Sequence, residues 1–176
     1  MAQVARTLIC AVLAASFTLA LCAFSPVDRW HRLRRIPTAR NGLVGVVAQN
    51  QIMVIGGQVV RSGSGMPTNV VEDLAIGTNQ WTAGVPLPTA TEQPGAAVGT
   101  DGRVYVVGGV DIAHQVIGAL QIWNPSSATW STGIALPTSR AEPQLVTGDD
   151  GKLYAISGYD VDGQCPDVNE QYDPTT

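Results

Sequence analysis

Three carboxylates crowd one short stretch, DVDGQCPD at residues 160–167: Asp160, Asp162 and Asp167. Oxygen ligands at this density suit a hard cation such as calcium, but Cys165 stands where a calcium loop needs its sharp-turn glycine. The same residues read as an acidic surface loop with turn chemistry, and no metal is assigned to them. His31 and His114 are the only histidines. His114 follows the pair Gly108-Gly109 and lies near Asp111, in a loop from which an imidazole can contact a ligand. Arg40 and Arg140 end the segments IPTAR and LPTSR. A guanidinium repeated at one slot can grip a ligand or hold a turn by donating to backbone carbonyls. Arg61 lies in the polar loop QVVRSGSGMPTN, which makes it a further contact candidate.

Nothing in the sequence supplies a nucleophile with its base. There is no Gly-x-Ser-x-Gly elbow and no phosphate loop, and Cys165 has no histidine near it in sequence. No catalytic residue, metal or cofactor is therefore assigned. The candidate ligand-binding positions are Arg40, Arg61, Asp111, His114, Arg140, Asp160 and Asp162, all in loops where a rigid scaffold would present them.

The scaffold is a repeat. QIMVIGG (51–57), RVYVVGG (103–109) and KLYAISG (152–158) each run from a polar residue through four apolar ones to a small pair. Trp30, Trp81 and Trp130 recur in step with Pro37, Pro88 and Pro137. QN, DG and DG precede the apolar runs, and Asp-Gly is what a tight two-residue hairpin uses when both central residues need positive φ. Each run thus reads as the second strand of a hairpin, apolar on both faces because both are covered. VEDLAI, LQIWN and NEQYD supply a third strand, and a fourth begins at the tryptophan. Four short strands in a unit of about fifty residues describe a propeller blade.

The order Pro-x-x-Arg, turn, apolar strand, Gly-Gly, aromatic-(Asp/Asn)-Pro and Trp resembles the kelch repeat over residues 30–176. Thr91 departs from the arginine slot, Ser157 from the first glycine and Leu74 from the third-strand aromatic. The resemblance implies an all-β, kelch-type β-propeller segment with three four-stranded blades at about 41–88, 92–137 and 141–176. Residues 30–37 read as a stray outer strand, and blade three lacks its own. Propellers generally have four to eight blades. The segment is thus expected to be either an incomplete ring from a longer product or half of a six-bladed assembly of two copies. Kelch propellers include galactose oxidases and a periplasmic sialic acid epimerase, but the tyrosine and histidine ligands of the copper enzymes have no evident counterparts.

Charged residues are 14% of the chain, beside 19 Gly and 11 Pro, which suits an all-β protein. Arg29, Arg32, Arg34, Arg35 and Arg40 are clustered, whereas from Asn41 onward four basic residues face thirteen acidic ones. An acidic body argues against nucleic acid as a partner. MAQVAR followed by LICAVLAASFTLALCAF reads as a signal peptide over residues 1–23, or as a membrane anchor at residues 8–24. Secretion or placement in the cell envelope is expected, with membrane contact only through an uncleaved N-terminal segment. The sequence therefore points to a non-catalytic binding module for a protein or glycan, with self-association as a second mode. The alternative is the N-terminal part of an exported propeller enzyme acting on carbohydrate.

Overall fold

The computed structural model describes residues 30–61 and 63–175, so the targeting segment at 1–23 lies outside the described residues. Blade one opens with β1 (Val44–Ala48) and β2 (Gln51–Ile55) and adds a side hairpin, β3 (Gln58–Arg61) and β4 (Ser64–Pro67). It closes with β5 (Val71–Ala75) and β6 (Gln80–Ala83). Blade two is β7 (Gly95–Val98), β8 (Val104–Val107), β9 (Leu120–Asn124) and β10 (Thr129–Thr132). Blade three is β11 (Gln144–Thr147), β12 (Leu153–Ile156) and β13 (Asn169–Tyr172). The sheets run β1-β2-β5-β6, β7-β8-β9-β10 and β11-β12-β13, antiparallel throughout. The inner strands β1, β7 and β11 are neighbours in turn. This is an all-β segment of a kelch-type propeller.

The apolar second strands are buried because another blade lies against them. Val104, Tyr105 and Val106 of β8 are fully buried. Alternate residues serve two seams, as the two-residue side-chain period of a strand requires. Val104 and Val106 join Met53, Ile55, Val71 and Leu87 in the seam between blades one and two. Tyr105 and Val107 join Leu120, Ile122 and Leu153 in the seam between blades two and three. Neither sheet could bury both its faces alone, so each blade is stabilised by the next.

Three sequence expectations need correction. Only blade one has the two-residue hairpin, with Gln49 and Asn50 at φ +48° and +61° between the paired Ala48 and Gln51. In blades two and three the Asp-Gly pair sits in a five-residue turn, where only the glycine has positive φ (Gly102 +77°, Gly151 +79°). The aspartates serve as side-chain anchors instead. Asp101 accepts from the Arg103 N–H (3.0 Å) and the Tyr105 hydroxyl (2.7 Å), and Asp150 does the same for Lys152 and Tyr154. Residues 30–36 form no strand. Arg34 instead bonds blade one, its N–H to Asn79 and its guanidinium to Gln80. The third correction concerns Arg40 and Arg140 as ligand contacts and is described with the site.

Candidate functional site

Arg40 and Arg140 are structural clasps. Both side chains are fully buried. Arg40 donates to the carbonyls of Gly56 (2.7 Å), Val54 (3.1 Å) and Thr38 (2.9 Å) and pairs with Glu72. Arg140 donates to Val168 and Ala155 and pairs with Glu170 at 2.6 Å. Each carboxylate also accepts the N–H of the threonine two residues before its arginine, Thr38 or Thr138. A ligand has no access to either guanidinium, so both leave the candidate set. Blade two replaces both partners together. Thr91 bonds the Gly108 carbonyl, and neutral Gln121 exchanges two bonds with Thr89. With no arginine present, a glutamate there would be a buried, unpaired charge. Sequence reasoning missed Glu72, Gln121 and Glu170. The available signal was that arginine and glutamate, thirty or so residues apart, disappear from the same repeat.

The loops after the glycine pairs are less variable than their sequences suggest. Asp111 accepts from the N–H groups of Ala113 and Gln115, and Asp160 accepts from those of Asp162 and Gln164. Asp-x-x-x-Gln is thus one turn used twice, with His114 (φ +57°) standing where blade three has Gly163 (φ +71°). Asp111 and Asp160 shape their own loops, while His114 and Asp162 are exposed. Among the described residues no acidic or histidine cluster is arranged to hold a metal ion. In blade one the corresponding connection is the β3–β4 hairpin, with Arg61 closing β3.

A polar cluster forms where the blades converge. The segment entering each blade bridges to the residue just past its glycine pair: Asn41 to Gln58, Glu92 to Val110 and Ala141 to Tyr159. The next residues, Gly42, Gln93 and Glu142, all have φ near +55°. They link blade to blade, the Gln93 N–H donating to Gly42 (2.6 Å) and the Glu142 N–H to Gln93 (2.7 Å). Because they feed the innermost strands, these positions ring the propeller axis. The Gln93 side chain donates to Glu142 (2.8 Å) and accepts from the Tyr159 hydroxyl. Glu92 is only 9% exposed. Burial pushes its carboxyl pKa up, partly offset by the charge of His114 and a hydrogen bond with Gln58. Burial also raises the Tyr159 phenol, reinforced by Glu142 and Glu92.

These groups offer carboxylate acceptors, an amide and a phenolic donor at one rim. The arrangement suits hydroxyl groups and repels anions. Of the residues singled out from sequence, His114 alone is brought to this cluster. Glu92, Gln93, Glu142 and Tyr159 were missed, although ATEQ and SRAE mark their slot directly after the clasp position.

No family model matches the chain, and no curated protein matches it. Among solved structures, the structure of YjhT, a kelch-repeat propeller, matches with a TM-score of 0.74 at 21% identity. The match covers 84% of this chain and 53% of YjhT, so the chain spans about half of that protein's length.

Proposed function

We propose that this partial kelch-type propeller is an exported, non-catalytic binding module whose axial rim recognises a neutral, hydroxyl-rich ligand of the glycan class. The observation that carries this is the convergence of Glu92, Gln93, Glu142 and Tyr159 from different blades on one rim. Sugar hydroxyls both donate and accept, and this rim offers both partners at hydrogen-bonding range. Export rests on the apolar run after MAQVAR and on a described region with only one cysteine.

The test is calorimetric titration of the full chain against matched neutral and anionic oligosaccharides. Binding of a neutral member, weakened at least roughly tenfold by Glu92→Gln or Tyr159→Phe with melting unchanged, supports the reading; tenfold corresponds to about 1.4 kcal/mol, within the range of a hydrogen bond to a charged group. Binding that prefers the anionic member, or ignores both substitutions, removes it. Amino-terminal sequencing of protein recovered from the cell envelope or medium tests export.

A second reading is supported by Glu92 itself. A buried carboxyl with a raised pKa at a rim is the kind of group that moves protons. On this reading the chain contributes to an enzyme acting on a sugar, and exchange spectroscopy of the anomers of each titrated sugar would detect it. The acidity of the rim favours a neutral sugar over an anionic one.

A further inference from the structure

We propose that Val60, Ile112 and Val161 form an apolar collar around the axial rim, and that the collar docks an extended, cationic segment of a partner polypeptide carrying apolar side chains.

The collar is a repeat of its own. Gln58, Val110 and Tyr159 are the residues bridged to the entering segments at the rim. Two positions beyond each stands a β-branched aliphatic residue: Val60, Ile112 and Val161. They are 59%, 62% and 74% exposed. Single exposed aliphatic residues are ordinary on a protein surface and call for no explanation. The same class of residue at one slot in three successive blades is different, because none of the three belongs to either buried cluster. Ile112 sits in the middle blade, with a described blade on each side, so its exposure comes from its own loop.

Turn chemistry accounts for that exposure. Asp111 and Asp160 accept the N–H groups two and four residues further on. The chain is thereby drawn in around the carboxylate, which leaves the next residue, Ile112 or Val161, at the outer bend. Val60 reaches the equivalent slot on the β3–β4 hairpin. Two residues of chain span at most about 7 Å, so each tip stands close to the rim.

Charge identifies the occupant. Asp111 precedes Ile112, and Asp160 and Asp162 flank Val161. Glu92 and Glu142 add two carboxylates at the rim, against Arg61 beside Val60. None of these five acids is in an ion pair among the described residues, where the ion pairs belong to Glu72, Asp101, Glu170 and Asp173. Neutral donors orient Asp111, Asp160 and Glu142 without cancelling their charge. The partner must therefore bring apolar groups and positive charge close together. An extended polypeptide can do so: successive side chains alternate between faces, so paired apolar and paired basic residues present both kinds in turn on one face. A bilayer would have to take the flanking carboxylates into its interface along with the aliphatic tips, which disfavours lipid. The contact needs no sugar, so it stands or falls apart from the glycan reading.

Fluorescence anisotropy of the full chain, at about physiological salt, tests this with a fluorescein-labelled decapeptide, Ser-Leu-Leu-Lys-Lys-Leu-Leu-Lys-Lys-Ser. The expected result is saturable binding, weakened at least roughly tenfold when serine replaces the leucines or glutamate replaces the lysines. The double variant Ile112→Ser, Val161→Ser should lose at least roughly tenfold in affinity with melting unchanged, since both side chains are exposed. Ile112→Leu should keep the affinity. No binding by the parent chain, equal binding of the serine-substituted peptide, or undiminished binding by the double variant overturns the proposal. So does co-sedimentation of the parent chain with phosphatidylcholine vesicles that the double variant loses, which would give the collar to lipid.

Discussion

Thr91 and Gln121 stand where the other two blades have arginine and glutamate, and this pair shows how a charge is kept out of the interior. Gln121 is 1% exposed. Gln121→Glu would bury a carboxylate with no cation beside it, at a cost of about 3 kcal/mol near neutral pH. The folded-state pKa of that glutamate would lie above its unfolded value of about 4.3. The penalty is therefore absent below the unfolded value and grows as pH rises through the folded one. Adding Thr91→Arg should restore most of the loss, and denaturant melts of the single and double variants measure the coupling. Asp73 poses a milder version of the same problem. Its Oδ1 is buried without a hydrogen-bond partner, and burial raises its pKa. Asp73→Asn should stabilise the chain by about 1 kcal/mol at neutral pH. The advantage should vanish below the unfolded aspartate pKa and reach its plateau once pH exceeds the raised folded value, as melts across the acidic range would show.

At the scale of strands and turns, Gly102 and Gly108 separate backbone strain from crowding. Both have φ above +70° or at it (+77° and +70°). A Cβ at Gly102 meets nothing within 4 Å, whereas one at Gly108 falls on the Arg140 carbonyl oxygen. Gly102→Ala should cost about 1 kcal/mol and Gly108→Ala about 3 kcal/mol or more, read from denaturation midpoints. Blade number, strand order and tryptophan register were legible in the sequence, because apolar runs, glycine pairs and tryptophans are local marks repeated three times. Turn geometry was not. Asp-Gly looks the same in a two-residue hairpin and a five-residue turn, and what separates them is the reach of Asp101 to Tyr105. The rim was illegible for a related reason. Gln93, Glu142 and Tyr159 become neighbours only when successive blades align; ATEQ and SRAE mark a repeated slot, but not which side chains meet there.

Across the whole molecule the two seams are built alike and filled unequally. Leu87 is 2% exposed in a seam capped by Trp130, while Leu136 is only partly buried in the second seam. Leu87→Ala should cost about 3 kcal/mol, and Leu136→Ala nearer 1–2 kcal/mol, because the second site starts with fewer packing partners to lose. Equal losses in equilibrium denaturation would mean that the second seam is as well packed as the first.

The clasps also bear on how such a chain can be lengthened or shortened. Arg40 draws its carbonyl and carboxylate partners from residues 38 to 72, and Arg140 finds its partners between 155 and 170. Each unit settles its interior charge internally. Duplication or exchange of units should therefore be tolerated when the breakpoint falls ahead of the threonine that opens a clasp. A cut between arginine and glutamate would splice half a clasp onto Thr91 or Gln121, and such a chimaera would carry an ion with no counterpart.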